Sequence, residues 1–318
     1  MTYRSIATAL VAATALAAPA LADYPTRTIE MIVPAPAGGG TDVAARQMTA
    51  LLEAELGVAV AILNVAGGGG SVGVTQFSQT RPDGYTLLAT WNSPITTVPQ
   101  VQPVVYAIDS FTPIISTSET AYTLCVAPDF PAATGAELLD TLAADPGAYT
   151  YGNDGIGGTM QLAAERIFQA RGIEAVPIPF GGAGETLQNF LGGHVDIYGG
   201  SIAPILGYVQ EGEAKCLIVT TADAIDALPD AAGLEELGMA ELETPLWRMI
   251  PGPAGMDEGD AARIAAAFET AVMHPDYVAF LAGIGERPSI VTGKALQDRL
   301  QAEYDGLAAV AEALGLGN

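Results

Sequence analysis

Basic residues and histidine are scarce in this chain. Its 318 residues include 12 Lys and Arg against 36 Asp and Glu, with two histidines, for a formal net charge of −24. A surface of this charge repels phosphate, which excludes nucleic acid and anionic lipid surfaces as partners. A small anionic ligand is not excluded, because backbone N–H dipoles inside a cleft can outweigh a distant, screened surface field.

The same scarcity limits metal and catalytic chemistry. His194 and His274 are 80 positions apart (274 minus 194) and form no ligand cluster with the two cysteines, and no P-loop lysine is present, so we expect no metal and no cofactor. Gly68–Gly73 fits G-x-G-x-x-G but lacks the acidic residue about 20 positions on that would hold a ribose. Within it, Gly69–Gly73 fits the nucleophile pattern G-x-S-x-G, so a secreted α/β hydrolase that uses Ser71 remains an alternative.

The two cysteines are Cys125 and Cys216. In an oxidising compartment an even pair is a candidate disulfide, and two buried free thiols are the alternative. A bond that closes this span of 91 residues (216 minus 125) would stabilise the chain by roughly 4 to 5 kcal/mol.

The N-terminus has the pattern of a secretory signal peptide over residues 1–22. Arg4 is followed by an apolar run, Ile6 to Ala18, and by the small-x-small sequence Ala20-Leu21-Ala22. A membrane-spanning helix is the alternative, but the uncharged run is at the lower length limit and ends in a processing site. We expect an exported mature chain that begins at Asp23, whose 296 residues (318 minus 22) suit two lobes with a cleft between them.

The mature chain alternates apolar runs with helical patterns, which is typical of an α/β fold. The pattern predicts helices at Thr41–Leu56, Asp257–Met273 and Lys294–Leu314. It predicts strands at Ile29–Val33, Val58–Leu63, Tyr85–Thr90, Tyr122–Ala127, Tyr149–Gly152, Glu174–Ile178, Val195–Tyr198, Lys215–Thr220 and Leu246–Ile250. We hypothesise that Tyr122–Ala127 and Lys215–Thr220 cross between the lobes side by side, which would bring the two cysteines together.

Glycine-rich turns follow several of these strands. Ligands in open α/β sheets gather at such turns, where glycine allows close approach of the backbone and helix N-termini favour an anion. Asp42 has two readings, a cap or brace of its loop and a direct ligand contact. Trp91-Asn92-Ser93 combines a flat apolar ring with polar neighbours, and it suits either a pocket or a packed turn. The turns are Pro36–Asp42, Ala66–Gly70, Gly152–Thr159, Gly181–Gly184 and Gly199–Ser201.

These residues resemble the periplasmic solute-binding proteins of tripartite tricarboxylate transporters, the Bug or TctC type. The resemblance covers nearly the whole mature chain. Its most specific blocks are Ile32–Asp42 and Pro82–Leu88, and it includes Tyr151-Gly152, Val176–Gly184, Leu191–Asp196, Leu228–Asp230, Glu235–Gly238 and Pro253–Gly255.

The resemblance implies a bilobal type II periplasmic-binding-protein fold, two α/β lobes joined by crossing hinge strands. Lobe one is expected at residues 23–123 and 219–318, and lobe two at 124–218. The resemblance also implies no catalysis: backbone N–H groups and water would hold a carboxylate, in keeping with the absence of an obvious pocket arginine. The implied ligand-binding residues are Pro36, Ala37, Gly38, Gly39, Gly40, Thr41, Asp42, Trp91, Asn92, Ser93, Gly155, Gly157, Gly158, Thr159, Gly200 and Ser201.

The implied protein is a monomer in the periplasm of a Gram-negative bacterium that delivers a small organic carboxylate to a large and a small membrane subunit. Phe180-Gly181-Gly182 stands where many members have Tyr-Lys-Gly, so the contacts that select the ligand differ. A di- or tricarboxylate, an aromatic acid and an amino acid all remain open as ligands. A sensory ligand-binding partner of a membrane kinase is a further alternative to the transport function.

Overall fold

The chain folds into α/β structure built on two sheets. The computed structural model describes residues 24–313 and 315–316, so the predicted signal peptide, residues 1–22, lies outside the described residues. The strands, numbered in chain order, are β1 (Ile29–Val33), β2 (Val60–Asn64), β3 (Thr86–Leu88), β4 (Thr90–Trp91), β5 (Phe111–Val126), β6 (Thr150–Asn153), β7 (Val176–Pro179), β8 (Ile197–Ser201), β9 (Lys215–Val219), β10 (Pro245–Pro253) and β11 (Arg287–Pro288).

The helices alternate with these strands along most of the chain. Between residues 24 and 313, none is long and apolar enough to cross a membrane. The α-helices are α1 (Gly40–Leu56), α2 (Ser71–Ser78), α3 (Ser93–Thr96), α4 (Val98–Val101), α5 (Gly135–Ala144), α6 (Thr159–Arg171), α7 (Ala183–Leu191), α8 (Ile202–Gln210), α9 (Glu258–Val272), α10 (Pro275–Gly283) and α11 (Gly293–Ala313).

The smaller sheet is parallel, in the order β2-β1-β3. Its central strand β1 is apolar on both faces, with Met31 and Ile32 fully buried, as expected for a parallel strand covered on both sides. Helix α1 packs on this sheet through apolar residues three or four positions apart, among them Met48 and Leu52. The helix ends at Gly57, whose left-handed backbone (φ 71°) lets its N–H bond to the Glu53 carbonyl. This sheet carries the glycine-rich turn before α1 at the carboxyl end of β1.

Strand β5 connects the two lobes. Its first part, Phe111–Ala121, pairs antiparallel with β10, and its second part, Tyr122–Val126, pairs with β8 and β9. The second part belongs to a sheet in which β6 and β8 are parallel and β7 lies at the edge. One long strand thus passes from lobe one into lobe two near Ala121 and Tyr122.

The second predicted crossing strand, β9, lies directly beside β5. Cys125 is paired with Cys216 in the antiparallel register, and the two are joined by a disulfide. The two cysteines therefore meet within the sheet of lobe two.

The segment 220–244 stays with lobe two after β9 ends. The Ala232 N–H donates to the Leu217 carbonyl at 2.9 Å, and Arg166 on α6 donates to the Thr244 hydroxyl at 2.8 Å. Leu234 lies in the buried core of lobe two. These contacts favour a return of the chain to lobe one between Thr244 and Pro245, later than the predicted boundary at residue 219.

Candidate ligand-binding site

A cavity of about 400 Å³ lies between the two lobes. Lobe one contributes the turn between β1 and α1 together with side chains from β4 and β10. The crossing strand and lobe two contribute the other wall. The lining residues are Ala35–Thr41, Trp91, Leu246 and Arg248 on one side, and Tyr122, Asp154, Gly181–Glu185, Gln188, Gly200 and Ser201 on the other.

Asp42 braces the glycine-rich turn from behind. Its carboxylate accepts hydrogen bonds from the Gly38 N–H at 2.8 Å, from Arg46 Nε at 3.0 Å and from Asn64 Nδ2 at 2.9 Å. Burial opposes its ionisation, but the bonds from Arg46, Gly38 and Asn64 outweigh that effect and lower the pKa of Asp42. Asp42 is buried and is not among the cavity-lining residues, so its observed contacts are those of a loop brace.

Two helix N-termini open onto the cavity without a capping side chain. Helix α1 starts after Gly39, which has no side chain, and α8 starts after Ser201, whose hydroxyl accepts no hydrogen bond from its helix. A third helix, α7, also starts at the cavity, but Glu185 accepts the Gly181 N–H there at 2.7 Å. Free N–H groups and the positive end of the helix dipole attract an anion. The α1 and α8 ends therefore form the part of the cavity best suited to a carboxylate.

Arg248 on β10 lines the cavity beside these helix ends. The residue is 4% exposed, and Nη2 donates to Glu286 Oε1 at 2.6 Å. Glu286 is itself buried, and its other oxygen accepts from the Ser118 hydroxyl at 2.8 Å. Nε and Nη1 of Arg248 have no hydrogen-bond partner among the described residues. The guanidinium is thus fixed by one ion pair and keeps unused donors.

Gly40 allows the guanidinium to approach the start of α1. A Cβ at this position would lie 2.8 Å from Arg248 Nη2 and 3.8 Å from the Ser201 hydroxyl. Gly40, Ser201 and Arg248 therefore bring the N-terminus of α1, the N-terminus of α8 and the buried guanidinium close together.

Asp154 lies on the lobe-two wall of the cavity. It follows β6, and Oδ1 has no hydrogen-bond partner among the described residues. Burial raises the pKa of Asp154 to about 7, and the backbone N–H groups of Met160 and Gln161 only partly oppose this effect. The carboxyl group therefore keeps its proton to a much higher pH than an exposed aspartate does.

Several residues that the sequence predicted as ligand contacts do not line this cavity. Asn92 donates to Glu303 at 2.7 Å, while the Ser93 hydroxyl accepts the Thr159 N–H at 3.1 Å. A Cβ at Gly157 would run into the side chain of Val101. Asn92 thus bonds within lobe one, whereas Ser93 with Thr159 and Val101 with Gly157 join the lobes beside the cavity. Contact of these residues with a ligand stays a prediction. The predicted residues outside the lining are Asp42, Asn92, Ser93, Gly155, Gly157, Gly158 and Thr159, while Pro36–Thr41, Trp91, Gly200 and Ser201 lie within it.

The sequence prediction missed Arg248 and Asp154 as cavity residues. The expectation that no arginine is an obvious pocket residue is corrected by Arg248, which reaches the cavity from β10. One signal was present: Arg248 is a single charge in the otherwise apolar predicted strand Leu246–Ile250, and a buried charge in a strand needs a partner. That partner, Glu286, is 38 positions away and has no local sequence signature.

The serine of the nucleophile pattern lies elsewhere. Ser71 is the first residue of α2 and is not among the cavity-lining residues. His274 caps α10, where its Nδ1 accepts the Asp276 N–H at 3.3 Å.

Two α/β lobes joined by a long crossing strand, with an interlobe cavity at helix N-termini, define the class of solute-binding proteins. Residues 44–316 match the family described as tripartite tricarboxylate transporter family receptor, and the chain belongs to this family. The predicted family membership is confirmed.

The relatives agree over nearly the full length. The chain is 30% identical to a UPF0065 protein of Bordetella pertussis, over 92% of this chain and 91% of that protein. A solved structure described as a periplasmic transporter is 27% identical, with a TM-score of 0.87 over 92% of this chain and 99% of that one. A protein of R. palustris solved with adipate is 26% identical, with a TM-score of 0.85 over 93% of this chain and 99% of that one. The predicted bilobal α/β fold is confirmed.

Proposed function

We propose that this protein is a periplasmic solute-binding protein that closes its lobes around a small organic carboxylate. It then delivers the ligand to the large and small membrane subunits of a tripartite tricarboxylate-type transporter. Family membership supports the transport role, and the related R. palustris structure solved with adipate supports a carboxylate ligand. The chain's own binding chemistry comes from its interlobe cavity.

The observation that carries this proposal is the meeting of two uncapped helix N-termini at the cavity. Gly39 precedes α1 on lobe one, and Ser201 precedes α8 on lobe two. An anion placed between them receives N–H groups from both lobes, so its binding favours the closed arrangement over an open one. This is the linkage that a transport receptor needs, because the membrane subunits must distinguish loaded from empty protein.

The size and walls of the cavity suit a small ligand. A volume of about 400 Å³ is near the lower end of the range for small-molecule sites. Trp91 and Leu246 offer apolar contact, while the glycine turns offer backbone donors. These residues need not catalyse hydrolysis, because the capture and release of a solute break no covalent bond.

The test is a thermal-shift titration of the mature chain, residues 23–318, after unfolding and refolding to remove any co-purified ligand. Succinate, adipate, benzoate, glutamate and 5-aminopentanoate are compared with the amides of the same skeletons, in which each carboxylate is replaced by an uncharged carboxamide. A ligand at 100 times its Kd stabilises the native state by about 2.7 kcal/mol, so a dose-dependent rise in Tm is expected with one or more acids and with none of the amides. Equal shifts with acids and amides, or flat curves with every acid, would contradict the proposal.

Delivery is tested separately in vesicles that contain the two membrane subunits. Uptake of the radiolabelled acid is expected only when the binding protein is present. Uptake at the same rate without it would remove the transport part of the proposal and leave the binding part intact.

A further inference from the structure

The charged groups at the cavity are distributed unevenly. Among the lining residues, all of which lie in the described part of the chain, Arg248 is the one Lys, Arg or His side chain. Asp154 and Glu185 are the acidic ones, and both belong to lobe two. Arg248 and the uncapped start of α1 thus lie on lobe one, while lobe two carries the uncapped start of α8 together with both carboxyl groups.

Arg248 is buried and held in a fixed position, unlike a charged side chain on the protein surface. It is 4% exposed, held by Glu286 at 2.6 Å, and has two nitrogens without a hydrogen-bond partner among the described residues. Leaving buried donors of a charged group unused costs free energy, and such groups are expected to acquire partners when a ligand binds. A carboxylate satisfies guanidinium donors better than a neutral oxygen does.

The acidic wall disfavours a second negative charge. No cation among the lining residues faces Asp154, and like charges brought together at an interface cost several kcal/mol. An ammonium or hydroxyl group would instead meet carboxyl oxygens that accept hydrogen bonds.

We infer that Arg248 binds the carboxylate of the ligand beside Gly40 and Ser201, and that the cleft selects monocarboxylates whose other end is neutral or cationic and faces Asp154. The inference rests on the proposed function and narrows it, because a dicarboxylate is disfavoured. Glu286 holds the guanidinium in place and neutralises its charge when no ligand is bound. The bound carboxylate then adds one negative charge, which the two helix N-termini help to offset.

The experiment is calorimetric titration at pH 8, above the pKa of Asp154, with three ligands of equal chain length: pentanoate, 5-aminopentanoate and glutarate. The corresponding sets of three ligands with four and with six carbons show which chain length the cavity binds best. At the chain length that the wild type binds best, we expect the monocarboxylate or the amino acid to bind at least about tenfold tighter than the dicarboxylate of the same length. Tighter binding of the dicarboxylate would overturn the inference while leaving the proposed function standing.

Two variants test the residues. Arg248→Gln is expected to weaken the best monocarboxylate by at least about 30-fold, because the buried anion loses its charged partner. The control, Arg299→Gln, removes an arginine that stacks on Trp247 and binds Glu119 outside this cavity, and it is expected to keep the wild-type affinity within about threefold. Asp154→Asn is expected to reduce the discrimination against the dicarboxylate by at least about threefold, because the like charge is removed.

The loss of Arg248 leaves Glu286 buried without its cation, so the single variant can fail to fold. The double variant Arg248→Gln/Glu286→Gln removes both charges and keeps an amide pair of similar size. Its native circular dichroism and melting curve establish folding, and its affinity is then compared with that of the wild type. Wild-type affinity in the folded double variant would show that Arg248 does not bind the ligand. If the wild-type protein itself binds none of the acids, the proposed function is wrong.

Discussion

The hydroxyl oxygens of Thr97 and Thr159 lie 2.7 Å apart and form a buried hydrogen bond between the two lobes. Thr97 lies between α3 and α4 on lobe one, and Thr159 is the first residue of α6 on lobe two. The Ser93 hydroxyl accepts the Thr159 N–H at 3.1 Å and reinforces the same contact. The structure therefore shows the lobes in contact beside the interlobe cavity.

Thr97→Val is expected to weaken ligand binding by about two- to tenfold. The substitution keeps the shape of the side chain and removes one net hydrogen bond, worth about 0.5 to 1.5 kcal/mol, from the arrangement with the lobes in contact. Calorimetry gives the affinity, and small-angle scattering of the free protein reports a larger radius. Thr270→Val, at an exposed position on α9, is the control and leaves both unchanged. Wild-type affinity and radius in Thr97→Val would show that this contact does not contribute to closure.

Replacement of both Cys125 and Cys216 by alanine is expected to lower the free energy of unfolding by roughly 4 to 5 kcal/mol. The disulfide closes 91 positions of chain, and its loss mainly raises the entropy of the unfolded state. Urea denaturation of the mature wild type, with and without reductant, and of the double variant measures the difference. Equal stability of oxidised wild type and double variant would mean that the bond adds no stability.

Gly40→Ala is expected to weaken ligand binding by about tenfold or more. The added Cβ would lie 2.8 Å from Arg248 Nη2, and the guanidinium has little freedom to move because Glu286 holds it. Gly306→Ala on α11, where an added Cβ meets nothing within 4 Å, is the control. Normal binding by Gly40→Ala would place the ligand away from the start of α1.

Asp154→Asn is expected to change how stability depends on pH. Burial raises the pKa of Asp154 from an ordinary value of 3.8 to about 7, so its stabilising contribution is complete below the unfolded pKa and is lost as the pH rises towards 7. The free energy of unfolding of wild type, relative to the variant, should therefore fall between pH 4 and 7, by on the order of 2 kcal/mol, and level off above 7.

Urea denaturation at each pH unit from 4 to 9 checks this difference. Asp305→Asn, at an exposed position on α11, corrects for the general effect of removing one acid from an acidic chain. A difference between wild type and Asp154→Asn that is constant over this range would show that Asp154 is not buried as described.

The first α/β unit was predictable because its local signals agree. The predicted strand Ile29–Val33 coincides with β1, and the predicted helix Thr41–Leu56 starts one residue after α1. An apolar run, a glycine turn and a helical repeat all point to the same structure there. The two-lobe hypothesis also predicted that Cys125 and Cys216 lie together, because it placed the two strands that carry them side by side.

Most of β5 was not predictable from local pattern. Its first part is rich in serine and threonine between Ser116 and Thr120, a composition that suits a loop. In the fold these hydroxyls donate to the chain at residues 285–289: the Ser116 hydroxyl to the Ser289 carbonyl, and the Thr120 hydroxyl to the Gly285 carbonyl at 2.6 Å. Partners more than 160 positions away in the sequence decide the structure of this part of β5. Arg248 likewise depends on a distant partner, Glu286, 38 positions away.

The most direct measurement is a crystal structure of the mature protein grown with the carboxylate that binds most tightly. We expect the carboxylate between the two lobes, within hydrogen-bonding distance of the N–H groups at the start of α1 and of Arg248, with the other end of the ligand towards Asp154. A ligand bound outside the interlobe cavity, or one whose carboxylate faces Asp154 while Arg248 has no contact with it, would contradict this binding mode.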